Sequence, residues 1–250
     1  MSDKKKVSEN LNKGHRERMR ARLKKGGMEA MADHEVIELL LFYAIPRRDT
    51  NKLAHRIMRE FGSLHAVFEA GATEIQKRCG LSENTATLLA MMIPLARRYD
   101  ISRWGRRINF ASTKSLAEYA QSLFIGRTVE CFYLLCLDNR ASLISVTELT
   151  RGTLDRAELY PREIMKCVMV NDAALVVLAH NHPSGSLDIS NADVQTTQRL
   201  ISILSGVEVG VLDHIICGGK DYISFADKRI MGLKGIDGIM EDMKMKKAMP

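Results

Sequence analysis

The stretch Ala173-Ala174-Leu175-Val176-Val177-Leu178-Ala179-His180-Asn181-His182-Pro183-Ser184-Gly185 decides how this chain is read. Its uncharged apolar run ends in turn residues, the pattern of a strand buried on both faces. Side chains alternate across a strand, so His180 and His182 point to one face and can aim at one point. Pro183-Ser184-Gly185 turns the chain. Ser190-Asn191-Ala192-Asp193 then opens a helical pattern with Ser190 at the N-cap and Asp193 three residues on. A loop of this length can return Asp193 to the two imidazoles. Two histidines, one carboxylate and an open fourth position describe a catalytic zinc site.

Working outward, the second half alternates strands and helices. Glu130 opens a strongly apolar segment, Cys131 to Leu137, and Leu143 to Leu149 alternates as its partner strand. Ser112 to Leu123 and Tyr160 to Val170 read as helices, as does Val194 to Ser205, which Gly206 ends. Gly152-Thr153-Leu154 begins a loop. Val207 to Leu212, His214 to Cys217 and Tyr222 to Phe225 are strand-like. The segments 130–137 and 173–179 can be neighbours in one sheet, which would bring Glu130 to the histidines. Glu148 also sits near a strand end and competes with Glu130 as a functional carboxylate.

The first half shows helical spacing only. Asp33 to Phe42, with Asp33 as N-cap, is followed by Asn51 to Phe61 and Leu64 to Ala70. Thr73 to Cys79, Gly80-Leu81-Ser82 and Asn84 to Tyr99 read as helix, turn, helix, with Pro94 interrupting the last. Residues 1–13 are Lys-, Ser- and Asn-rich and read as disordered. His34, His55 and His65 lack ligand spacing.

Charge separates the two halves. Residues 1–107 carry 22 Lys/Arg and 13 Asp/Glu, net +9; residues 108–250 carry 15 and 17, net −2. Arg16, Arg18, Arg20, Arg22, Lys24 and Lys25 crowd one short segment. Such asymmetry points to an anionic partner for the first half, DNA foremost, or to a solvated basic face. The five cysteines form no CxxC pair. They read as reduced core thiols of a cytoplasmic protein. No apolar run reaches the ~20 residues of a membrane span, and the polar N-terminus is not a secretory signal.

The pattern Glu130, His180-x-His182-Pro183, Ser190-x-x-Asp193 resembles the JAMM motif of the MPN⁺/JAB metalloprotease fold. His-Asn-His-Pro-Ser-Gly, with Tyr160-Pro161-Arg162-Glu163 before it and Leu212-Asp213-His214 after it, is closer still to the RadC family. Asn181 stands where other JAMM proteins have Ser or Thr, and this favours RadC. The resemblance covers about residues 15–230. It implies an α+β two-domain chain. A helical, helix-hairpin-helix-like domain occupies 14–100 and a linker 101–110. An α/β MPN/JAB domain with a central mixed, cytidine-deaminase-like sheet occupies 111–231, and a loose tail 232–250. The hairpin Gly80-Leu81-Ser82 lacks the second glycine usual in that family.

The resemblance further implies one Zn²⁺ per chain, held by His180, His182 and Asp193, with water in the fourth position. It makes Glu130 the general base and Ser190 the donor to the developing oxyanion. The reaction implied is hydrolysis of an amide or isopeptide bond in a peptide or protein. Asp213-His214 reads as a support for the ligands. A DNA-repair role, with the MPN domain as scaffold or nuclease, is the competing expectation. A zinc nucleobase deaminase is disfavoured, because H-x-E and P-C-x-x-C are both missing.

Overall fold

The structure is a computed structural model describing residues 2–46, 48–105, 107–152, 161–239 and 241. It divides into two compact units, Met1–Ala96 and Arg97–Pro250.

The first unit is all helical: α1 Ser2–Gly26, α2 Asp33–Ala44, α3 Asn51–Phe61, α4 Leu64–Glu69, α5 Ala72–Cys79 and α6 Glu83–Ala90. The α2 to α6 apolar stripes meet in one core containing Ile37, Leu41, Ile57, Val67, Ile75 and Leu89. Gly62 and Gly80 take left-handed φ values of 82° and 59° and close α3 and α5, a conformation that costs other residues more. Met91 separates α6 from α7, Met92–Arg103. Pro94 lies in the first turn of α7, where its missing N–H breaks no helical bond. The interruption expected at Pro94 thus takes the form of a new helix start.

Three expectations for this unit change. Residues 2–13 are helical rather than disordered; the stretch is Lys-rich and holds no Gly or Pro to interrupt a helix before Gly14. Asp33 is the first residue of α2 rather than its cap; the cap is Ala32, whose amide donates to Glu35 Oε2 at 3.0 Å. Two cations of the basic segment serve the fold. Arg16 donates to the Phe42, Ile45 and Arg48 carbonyls, satisfying the end of α2, and Arg22 pairs with Glu35.

The second unit is α/β: α8 Thr113–Phe124, β1 Cys131–Leu137, β2 Leu143–Arg151, α9 Pro161–Val170, β3 Leu175–Asn181, α10 Asn191–Ser205, β4 Gly210–Gly218 and β5 Asp221–Ser224. The strands form one mixed sheet in the order β2-β1-β3-β4-β5. Only β3 and β4 pair in parallel, joined by the crossover helix α10. The two strand-like segments flanking Asp213 are therefore one strand. The sheet is covered on both faces, which explains its uninterrupted apolar strands. Leu135, Val177 and Ile215 face α8 on one side; Leu134, Val176 and Leu178 face α9 and α10 on the other.

The chain is thus α+β, a helical part followed by a mixed sheet with helices. The stretch expected as a linker begins with the last residues of α7, and Ile101, Trp104 and Ile108 pack against the α8 side of the sheet. The tail is anchored at its start. Ile236 is fully buried, and Asp237 accepts from Thr113 Oγ1 at 3.1 Å. The loop expected from Thr153 and the tail beyond 241 lie outside the described residues. Among the described residues no helix is long and apolar enough to cross a membrane.

Candidate metal centre

The centre forms where β1, β3 and α10 meet. His180 is the sixth residue of β3 and pairs with Phe132 on β1, whose ring stacks on its imidazole. The His182 amide donates to the Cys217 carbonyl at 2.8 Å, one more rung between β3 and β4. That rung keeps the His182 side chain on the face of His180. Asn181 points to the other face; its Oδ1 accepts from the Cys131 amide and its Nδ2 donates to the Val129 carbonyl. The unusual residue between the histidines therefore ties the start of β1, next to Glu130, to β3. Gly218 lets the loop after His182 settle on β4, since a Cβ there would lie 2.7 Å from the Gly185 carbonyl oxygen and 2.8 Å from that of Ser186.

Asp193 is brought back by the cap of α10. Ser190 Oγ accepts from the Asp193 amide at 3.1 Å, while the Ser190 amide and hydroxyl both donate to Asp193 Oδ2, at 2.8 and 2.7 Å. Oδ2 is thereby satisfied, and Oδ1, also buried, has no hydrogen-bond partner among the described residues. Burial opposes ionisation of Asp193, but the His180 ring and the bonds from Ser190 outweigh it and hold the carboxyl well below the usual carboxylate range. The His180 contribution requires positive charge between Oδ1 and the ring nitrogen 3.2 Å away: a proton or a metal ion.

The hydrogen bonds fix the imidazole tautomers. Thr197, one turn beyond Asp193, gives its hydroxyl proton to the Asp193 carbonyl at 2.7 Å. Its oxygen must then accept from His214 Nδ1, also at 2.7 Å. Burial, with His180 acting in the same direction, pushes the His214 pKa well below its ordinary value, so that ring is neutral. Its Nε2 is then an acceptor and takes the His180 Nδ1 proton at 2.8 Å. His182 Nδ1 faces the Ser186 carbonyl at 2.9 Å and must donate to it. In the neutral rings both Nε2 atoms therefore carry lone pairs, and they face each other at 2.9 Å. A proton could bridge one pair of these atoms. Three donors together, two lone pairs and the orphaned Oδ1, call for a cation with several coordination positions. The 2.9 and 3.2 Å separations lie near the roughly 3.3 Å edge of a tetrahedron with bonds of about 2.0–2.1 Å, while His182 Nε2 approaches the Asp193 carboxylate through Oδ2 at 4.0 Å. The residues present fit a zinc ion.

Glu130 completes the cluster. Its Oε1 lies 3.8 Å from His180 Nε2 and 3.9 Å from His182 Nε2, and its side chain stays partly open to solvent. The donor atoms of Glu130, His180 and His182 lie within 4.8 Å of one another, close enough to hold a metal ion. Glu148 is elsewhere: it accepts from Arg127, Tyr133 and Arg151. Sequence reasoning anticipated support from His214 but missed Thr197; only its place one turn after Asp193 distinguishes it from any helical threonine. Asp213 is also buried. It accepts from the His214 and Ala226 amides and from Ser224 Oγ, linking β4 to β5.

A mixed sheet with this cluster at the end of its central strands is the arrangement expected of a JAB-type domain. Residues 110–230 match the family model of the RadC-like JAB domain. A UPF0758 protein of Janthinobacterium sp. (strain Marseille) is 38% identical over 211 residues, covering 84% of this chain and 94% of its own. One from Fusobacterium nucleatum is 33% identical, covering 90% and 100%, and one from Rhodobacter capsulatus is 35% identical, covering 83% and 97%. The chain belongs to the RadC (UPF0758) family.

Proposed function

We propose that this protein is a zinc-dependent hydrolase of the JAMM type that cleaves an amide or isopeptide bond. The observation carrying this reading is the approach of His180 Nε2 to both His182 Nε2 and the orphaned Asp193 Oδ1. These three residues would hold the ion, which when bound supplies Lewis acidity and acidifies water at its open position. Asp193 is preferred to Glu130 as third ligand because a buried, ionised oxygen without a partner is costly unless a cation meets it. Glu130, beside both rings and in touch with solvent, takes a proton from the attacking water and returns it to the leaving nitrogen. The hydroxyl proton of Ser190 is committed to Asp193, so Ser190 acts first by aiming that carboxylate. An oxyanion role would require the hydroxyl to turn away from it.

A second reading, nucleic-acid contact by residues 1–107, is favoured by their net charge of +9. It predicts DNA binding by the full chain that weakens steeply with salt; a flat salt response returns those charges to a solvated face.

The metal reading is tested by elemental analysis and turnover of an isopeptide-linked substrate. Purified protein should contain about one zinc per chain, lost in His180→Ala and Asp193→Asn. Glu130→Gln should retain zinc and lose turnover. Equal zinc in Asp193→Asn and wild type, or zinc loss in Glu130→Gln, would overturn the ligand set.

A further inference from the structure

On the sheet face away from His180, two guanidinium groups hold one carboxylate, and a third guanidinium lies within electrostatic reach of both. The β1–β2 register sets Cys131 opposite Arg151 and Tyr133 opposite Glu148. Tyr133 belongs to the α8-side core, whereas Phe132, the partner of His180, belongs to the other. Arg127 and Tyr133 both donate to Glu148 Oε2 at 2.6 Å, and Arg151 donates through Nε to Oε1 at 2.8 Å. Glu148 is saturated by these bonds. Arg97, on α7, is the third cation. It is half-buried and forms no hydrogen bond or ion pair among the described residues, and its Nε is buried without a partner. Arg127 Nε is likewise buried and has no partner among the described residues.

Among the described residues, three positive charges against one negative leave two uncompensated. Burial first, and then the neighbouring Arg127 and Arg151, lower the Arg97 pKa, as expected of a cation short of counter-charge. The guanidinium fork suits tetrahedral oxyanions, and a phosphomonoester carries roughly 1.5–2 negative charges at neutral pH, near the excess here. A single carboxylate would leave one cation unmatched.

We propose that Arg97, Arg127 and Arg151 form a binding site for a phosphomonoester group, supplied either by a small phosphate or by the 5′-phosphate end of a nucleic acid. The site does not depend on the metal reading, because it is built on the opposite face of the sheet.

The full chain is titrated with inorganic phosphate at constant ionic strength while its thermal unfolding is followed, with chloride as the control. Wild type and Asp193→Asn should both be stabilised by phosphate. Arg97→Gln should fold, because it removes a cation rather than a partner, and bind phosphate about tenfold or more weakly. Arg97→Lys, which keeps the charge without the fork, should fall between. A second arm compares 5′-phosphorylated with 5′-hydroxyl single-stranded oligonucleotides by fluorescence anisotropy. Tighter binding of the phosphorylated strand, lost in Arg97→Gln, assigns the site to nucleic-acid ends. Equal binding of the two strands, with the phosphate effect intact, assigns it to a small phosphate. No stabilisation of wild type beyond chloride, an effect lost in Asp193→Asn, or an effect unchanged in Arg97→Gln would overturn the proposal.

Discussion

Glu38 in the helical unit and Asp193 in the α/β unit are both fully buried carboxylates, and both sit beside a histidine. Their surroundings differ in one respect. Glu38 has both oxygens satisfied, Oε1 by His15 Nε2 at 3.0 Å and Oε2 by Asn51 Nδ2 at 2.9 Å. Asp193 has Oδ2 satisfied twice and Oδ1 not at all. The first is a closed polar contact tying α1, α2 and α3 together. The second is left half complete by the hydrogen bonds of the described residues. Burial of a charge is common to structural and functional sites; what separates them here is whether its hydrogen-bonding capacity is complete.

The largest break in this comparison comes from neutralising each acid. Asp193→Asn should abolish stable zinc binding while leaving the helical unit intact. Glu38→Gln should leave zinc untouched and lower stability by about 1–2 kcal/mol, read by urea unfolding. Zinc loss in Glu38→Gln would mean that the distinction between closed and open carboxylates is misplaced.

Thr197→Val should come next. Valine keeps the shape but cannot accept from His214, so the tautomers of His214 and then His180 are no longer imposed. Zinc affinity should fall roughly 10- to 100-fold. Nitrogen-15 chemical shifts of the histidine rings should show mixed tautomers; unchanged shifts would show that Thr197 does not set them.

Asp213 sharpens the comparison as a satisfied acid that is still disfavoured as an anion. Burial pushes its pKa up to about 6, against its three hydrogen bonds. A pKa raised on folding means that its stabilising contribution is complete below the unfolded value and is lost as pH rises through about 6. Between pH 4 and 7 the metal-free wild type should therefore lose on the order of 2–3 kcal/mol relative to Asp213→Asn. Parallel pH profiles for the two proteins would contradict this.

The smallest effect is expected for Ser190→Ala, which removes the α10 cap and costs about 1 kcal/mol of stability. If aiming Asp193 is the role of Ser190, zinc affinity should fall with turnover. Turnover lost at unchanged zinc affinity would instead mark it as the oxyanion donor.

The strands, the α10 cap and the two-part division of charge were legible because each rests on local rules: apolar runs, alternation, capping chemistry and composition. His180 and His182 could be paired from strand alternation alone, and Ser190 and Asp193 from capping. Glu130 and Glu148 could not be separated in the sequence, since both border apolar strands. The β1–β3 register and the bulge between Phe132 and Tyr133 set Glu130 beside the histidines and Glu148 among arginines. The same limit hid Thr197 and Arg97, whose roles depend on partners 17 and 30 residues away in the chain. Sequence determined which residues have the chemistry to bind a metal. Tertiary structure decided which of their atoms carry lone pairs and which buried charges have no partner, because proton positions and hydrogen-bond completeness belong to packed neighbours.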